Sequence, residues 1–277
     1  MNNPLTTTSI ILHLEIRKWA GEITDKKALK AVADAFKSDT HNDKYKKSLF
    51  VDDPLSVIDL YAGRIRNNFY ACTYSWLENG KGRLIPSRDF QAFALKHTEL
   101  KQGFYQEVEV FLDNYEHHKS EAKRLKGDLY NEGEYPTIEQ LRTRFAINLT
   151  TLPFPDTNDF RIEAPAAVIS DLEASVRESV ERVEQVVTND LRDRFHERLR
   201  MLHKTLTVGK RFNKSLLTEL AAVIKSGKNL EETISKQLHS DMQLVEKTVV
   251  CYSADELRNS ESLQESVVEH IENILQR

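Results

Sequence analysis

From Ser9 to Lys18 apolar and polar residues alternate, with Ile10, Leu12, Leu14 and Ile16 on one side and His13, Glu15 and Arg17 on the other. A period of two predicts a half-buried strand. The period then lengthens. Thr24 or Asp25 begins a short amphipathic helix through Ala28, Leu29, Val32 and Phe36, followed by a polar loop from Ser38. Asp53-Pro54 reads as a helix start, an Asp cap with proline at the first helical position. From there Leu55, Ile58, Ala62, Ile65, Phe69, Cys72 and Trp76 recur at steps of three and four. Asn79-Gly80-Lys81-Gly82 predicts a turn and Pro86-Ser87 a second helix start. The second seam runs Phe90, Phe93, His97, Leu100, Phe104, Val108, Phe111, Tyr115, His118, Ala122 and Leu125. Its mean spacing of about 3.5 residues winds helices left-handed, and at ~1.5 Å per residue it is on the order of 60 Å long. Two such helices joined by a short turn predict an antiparallel hairpin, with Gly103 as its weak point.

Gly127 and Gly133 end the hairpin, and Thr137 with Gln140 has capping-box spacing. Phe145, Ile147 and Leu149 alternate as a second strand, broken by Pro153 and Pro155. The turn Asp156-Thr157-Asn158-Asp159 leads to Phe160-Arg161-Ile162. These pieces are expected to pair with the N-terminal strand in a small antiparallel sheet, since an isolated strand has no partner for its backbone. Pro165 opens a long helix striped by Val168, Leu172, Val176, Val180, Val183, Val187, Leu191, Phe195, Leu199, Leu202 and Leu206, and Gly209 ends it. That stripe averages near 3.8 residues, so the helix does not share the left-handed winding of the hairpin. Shorter helices follow, with breaks predicted at Ser226-Gly227 and Cys251-Tyr252 and capping boxes at Ser253/Glu256 and Ser262/Glu265. The expected fold is mainly α: a long antiparallel helical hairpin plus a small antiparallel β-sheet and a C-terminal helical region. Residues 1–163 and 164–277 are expected as two domains, or as one continuous domain.

Composition narrows the picture. Of 277 residues, 40% are hydrophobic and 30% charged, with Gly 9 and Pro 7, a profile that favours long helices over sandwiches, barrels or dinucleotide-binding folds. Mean hydropathy is -0.52 and no long uncharged apolar run occurs, so no membrane association is expected. The N-terminus has no basic residue ahead of its apolar run and no small-residue cleavage site, and so does not read as a signal peptide. Cys72 and Cys251 lie among apolar residues in no metal-type spacing and read as core thiols of a reducing compartment. The formal net charge of -4 gives the whole molecule no pull on nucleic acid or anionic lipid.

Candidate chemistry is sparse. No glycine lies where a phosphate-binding loop ending at Gly209-Lys210 requires one, and Gly80-Lys81-Gly82 lacks the flanking strand and hydroxyl residue. No Glu-x-x-His pair supplies a di-metal bundle site. Asp193/His196 has that spacing but sits among Arg192, Arg194 and Arg198, and Tyr115-Glu116-His117-His118 with Glu121 is more simply a seam histidine beside solvated neighbours. Neither cysteine has a neighbouring histidine in sequence. No cofactor, metal site or catalytic residue is expected.

Charge on the long helix is more distinctive. Acids dominate from Glu163 to Asp190; then Arg192, Arg194, Arg198, Arg200, Lys204, Lys210, Arg211 and Lys214 face only Asp193 and Glu197. Complementation of the helix dipole and pairing with a neighbouring acidic helix explain this pattern directly. The alternative is an anion-binding patch for DNA, RNA or an acidic partner, with Phe195, Phe212, His196 and His203 interleaved. Lys26, Lys27, Lys30, Lys37, Lys44, Lys46 and Lys47 are diluted by four aspartates and read as a solvated face.

Several stretches are similar to an uncharacterised, mainly helical protein family of tailed bacteriophages and prophages. They are Ile16-Arg17-Lys18-Trp19, Tyr45-Lys46-Lys47-Ser48-Leu49, Arg66-Asn67-Asn68-Phe69-Tyr70, Leu84-Ile85-Pro86 after Trp76, Asn131 to Pro136, and Pro153-Phe154-Pro155-Asp156 leading to Asp159-Phe160-Arg161. The resemblance covers roughly residues 9–162, with Tyr74-Ser75-Trp76 where a Leu-Pro-Trp-like turn is the family pattern. It implies a phage protein of the host cytoplasm, associated with DNA metabolism or with an ATPase as adaptor, and carries no functional residues over. Exposed apolar seams and missing chemistry together predict a non-enzymatic interaction or assembly protein, a homo-oligomer with phage or host protein partners. A nucleic-acid-binding recombination or single-strand accessory is the alternative, and a host-directed inhibitor a third.

Overall fold

A computed structural model describes residues 5, 8–37, 44–75, 82–154, 166–208 and 214–276. The chain is mainly α with a small antiparallel sheet, as its hydrophobic periods predict. The strands are β1 (Ser9–Arg17), β2 (Glu22–Thr24), β3 (Lys46–Ser48), β4 (Tyr74–Ser75), β5 (Arg83–Pro86) and β6 (Ala146–Pro153). Helices are α1 (Lys26–Phe36), α2 (Ser56–Cys72), α3 (Ser87–Asp113), α4 (Tyr115–Lys126), α5 (Ile138–Arg142), α6 (Ala166–Thr207), α7 (Lys214–Asn229), α8 (Lys236–Val245), α9 (Ala254–Asn259) and α10 (Glu261–Leu275). Sheet order is β4-β5-β1-β6, with Ser9 opposite Pro86 and Leu12 opposite Arg83, while β2 pairs separately with β3. The neighbouring of β1 and β6 follows from the two alternating segments. The hairpin β4–β5, with Tyr74 opposite Leu84, was not expected. It replaces the plain turn between the two seam helices, because α2 already stops at Cys72. Trp76, the turn from Asn79 to Lys81, the turn 156–159, Phe160-Arg161-Ile162, Pro165, Gly209, Lys210, Arg211 and Phe212 lie outside the described residues.

Two compact units interleave in sequence, whereas the pattern read along the chain divides it at residue 163. One comprises Met1–His13, Cys72–Ala92 and Thr150–Arg277; the other comprises Leu14–Ala71 and Phe93–Leu149. Each has its own hydrophobic core.

In the first unit the α6 stripe is buried from Val180 to Leu206 and packs with Leu220 and Ile224 of α7, Met242 of α8 and Ile271 of α10. Burial fades toward the start of α6, where Leu172 and Val176 are half-buried and Val168 is exposed. The predicted break at Ser226-Gly227 is overturned: α7 runs straight through it, and a Cβ at Gly227 would lie 2.3 Å from Met242 Sδ. Glycine there admits the neighbouring helix rather than ending its own. A π-helical turn, Glu246–Val250, leads to the break at Cys251-Tyr252. The Ser253/Glu256 capping box forms as expected, but Ser262 does not cap α10; Ser260 does, accepting from the Leu263 amide. Cys251 is exposed and Cys72 half-buried, so the expectation of two core thiols holds for neither in full; neither is in a disulfide.

In the second unit α2 and α3 run antiparallel, with the Phe69 ring 6.3 Å from Phe93 at one end and Tyr61 over Gly103 further along. Trp19, Phe50, Phe111 and Tyr115 form one aromatic cluster with mutual ring distances of 5.7 to 6.4 Å. The expected single helix of about 60 Å is instead α3 and α4. Asn114 leaves helical geometry at φ -96 and ψ 3, and its side-chain amide donates to the Val110 carbonyl at 2.8 Å. A side chain competing for the backbone acceptor is a sufficient local cause. The apolar seam nevertheless continues across the break, through buried Tyr115 and Ala122. The Thr137/Gln140 capping box is present.

Candidate functional site

The basic run is divided by its surroundings. Arg194 is fully engaged: Nε and Nη2 donate to the two Asp190 carboxylate oxygens at 3.0 and 2.9 Å, Nη2 also donates to the Thr73 carbonyl at 2.8 Å, and the guanidinium sits 4.9 Å from the Tyr74 ring centre. Arg83 donates to the same Thr73 carbonyl and to its hydroxyl, at 2.8 and 2.7 Å. Two guanidinium groups thus converge on the fully buried Thr73 beside β4. Around them burial pushes the Tyr74 phenol up to about 12 and raises the Asp89 carboxyl, which accepts from Asn229 at 2.6 Å. Arg198 pairs with Glu219 at 3.1 Å across α6 and α7, and Arg192 reaches Asn189 on its own helix.

What remains is a row along α6. Arg192, His196, Arg200 and Lys204 repeat at intervals of four and so share one face. Arg200 and Lys204 are exposed, as is Lys214 at the start of α7. Burial first, then the neighbouring Arg200 and Arg192 charges, hold the His196 imidazole below its usual range. His203 lies 2.8 Å from Glu272 and is tied to α10 rather than to this row.

The histidines considered as ligands have other roles. His118 stacks on Phe111 at 15° between planes, and burial lowers its basicity, while Glu121 pairs with Arg124. Among the described residues no three His, Cys, Asp or Glu side chains form a metal-holding group. His97 is different in kind: it is 5% exposed, lies against Phe93, and neither ring nitrogen has a hydrogen-bond partner. Burial, and then the nearby Lys101 charge, lower its pKa.

Two surface features escaped the sequence reading. The lysines of the N-terminal zone are not all solvated: Lys47 is only 11% exposed, bonds the Leu129 carbonyl at 3.0 Å and pairs with Glu134 at 2.7 Å and Asp25 at 3.6 Å. Alternation along β3 was the available signal, because it turns Lys47 away from its exposed neighbours Lys46 and Ser48. The second feature is a groove of about 590 Å³ between α2 and α3, lined by Tyr61, Arg64, Asn67, Lys96, Gln102 and Gln106 among others. Gly103 also lines it, and Arg64 lies 5.5 Å from the Tyr61 ring centre.

Among the described residues, α1 leaves an apolar face open. Asp25 caps it, accepting from the Lys27 and Ala28 amides at 2.9 and 3.0 Å. Its helix buries no residue at all: Leu29 and Ala33 are half-buried, Val32 is 41% exposed and Phe36 is 79% exposed. Apolar side chains cover one side and Lys26, Lys27, Lys30 and Lys37 the other, with Asp34 the single acid.

With this geometry in hand, comparison with known proteins adds no identity. The chain matches no protein-family model, no curated protein and no solved structure.

Proposed function

We propose that this is a non-enzymatic interaction and assembly protein that works through protein–protein contacts, first of all with copies of itself. The observation that carries the reading is the amphipathic helix α1, whose Val32 and Phe36 stand in solvent on a helix that contributes nothing to either core. A capped helix whose segregated apolar face is left open among the described residues is a surface suited to a protein partner. Two residues weighed for chemistry, Arg194 and His118, have structural partners instead. Arg194, Asp190, Tyr74 and Thr73 hold β4 against α6, and His118 packs among aromatic rings. The similarity of residues 9–162 to helical phage proteins makes a role beside phage DNA metabolism, in the host cytoplasm, the setting we assign. Molar mass by light scattering over a range of concentrations tests the reading: mass rising above 32.0 kDa is expected, and a fixed monomer overturns it.

A second reading, nucleic-acid binding, is favoured by one observation, the shared face of Arg192, His196, Arg200 and Lys204. Fluorescence anisotropy with single- and double-stranded DNA at low salt decides it. Changing Arg200 and Lys204 to Ala would weaken binding and flatten its salt slope by about two phosphate contacts. No binding at low salt removes this reading.

A further inference from the structure

We propose that the open face of α1 docks on the N-terminal turns of α6 in a second copy of this chain. This rests on the self-assembly reading and names the surfaces that carry it.

The two segments complement each other in three ways. The first is length: α1 has 11 residues, about 16 Å of helix, and the part of α6 that runs ahead of its buried stripe, from Ala167 to Ser179, is of similar span. The second is apolar surface. On α1, Leu29, Val32 and Phe36 lie within one third of the helix circumference; on α6, Val168, Leu172 and Val176 recur every four residues and are exposed or half-buried. Burial on α6 becomes complete only at Val180, so the stripe extends beyond the core it serves. The third is charge. Lys26, Lys30 and Lys37 border the apolar face of α1, whereas Asp171 and Glu173 border the first turns of the α6 stripe, with Arg177 the one base beside it. Like charge on either helix disfavours pairing with its own kind, and opposite charge favours pairing with the other.

A single three-turn helix pair buries less than the ~1,200 Å² at which specific interfaces begin. The contact is therefore made reciprocally, each copy giving its α1 and receiving that of its partner, which doubles the buried area within a closed dimer.

Sedimentation velocity of the full chain across a range of concentrations provides the test. Phe36→Asp on α1 and, independently, Val168→Asp on α6 are each expected to raise the dissociation constant at least tenfold. Both positions are exposed, so circular dichroism and melting temperature should match the parent chain. Lys26→Glu with Lys30→Glu, or Asp171→Lys with Glu173→Lys, should weaken self-association likewise, and mixing the two charge-reversed chains should restore a dimer. Association that persists unchanged in both Asp variants overturns this assignment and leaves the self-assembly reading standing. A wild-type chain that stays monomeric at every concentration overturns both.

Discussion

A missing side chain at position 103 decides how closely the two helices of the second unit approach. A Cβ there would meet three Tyr61 ring atoms at 2.3, 2.7 and 3.0 Å, which no real packing tolerates. Gly103→Ala is therefore expected to destabilise the protein by about 1–3 kcal/mol in chemical denaturation, despite alanine's better helix propensity. Removing the Tyr61 ring as well should recover much of that loss, and a double-mutant cycle reads the coupling. Gly227→Ala makes a useful contrast. Its obstruction is the Met242 thioether, a flexible group, so the cost is expected to stay below that at Gly103. His97 carries the residue-scale pH dependence. Its folded pKa lies below the unfolded value near 6.5, so the folded form disfavours the proton; the contribution is intact above that value and is lost as pH falls below it. His118 and His196 are depressed in the same sense. Replacing His97 by Leu should raise stability by about 1–2 kcal/mol near pH 6, since two unpartnered ring nitrogens leave the core, and should flatten the loss between pH 6.5 and 5 in urea titrations. Unchanged acid sensitivity would show that His97 is not its source.

At the scale of elements, α6 and β4 depend on one guanidinium. Arg194→Ala strips Asp190 and the Thr73 carbonyl of a shared donor in a largely enclosed site, and a loss of about 2–4 kcal/mol is expected from denaturation midpoints. Arg194→Lys should rescue little, because an ammonium cannot span both carboxylate oxygens and the carbonyl while stacking on Tyr74. The elements also show what periodicity conveys and what it omits. Seam positions from Leu55 to Phe69, from Phe93 to Ala122 and from Val180 to Leu206 are buried almost wherever the pattern placed them. The break at Asn114 was invisible, since the apolar spacing crosses it without a change of phase. Ser226-Gly227 misled in the opposite direction: a pair that usually interrupts a helix serves here as a contact. Of the basic run, the i,i+4 ion pair of Arg194 with Asp190 was readable in principle, whereas the partner of Arg198, Glu219, lies on another helix and was not.

For the whole molecule, interleaving of the two units has a testable consequence. The core that surrounds α6 includes Ile11, Tyr74 and Leu84 from strands far upstream. A fragment of residues 164–277 should therefore keep its helical circular dichroism but melt at lower temperature and with less cooperativity than the full chain. Melting identical to that of the intact protein would show that the C-terminal helices are self-sufficient. The candidate site belongs to this scale too, because the openness of α1 is a property of everything that does not cover it. Leu29, Val32 and Phe36 look in sequence like any core stripe, and only the surrounding fold leaves Val32 and Phe36 facing solvent.

By itself the sequence determined most of the helical segments, the two alternating strands β1 and β6, the identity of most core positions and two of the capping boxes, because each depends on residues within a few positions of one another. Tertiary structure alone decided that strands from the first half of the chain join the C-terminal helical core, that Lys47 and Arg194 are internal clasps, and that, among the described residues, the apolar face of α1 is left open. Those outcomes turn on which groups meet across dozens of residues, and no local period of hydrophobicity records such meetings.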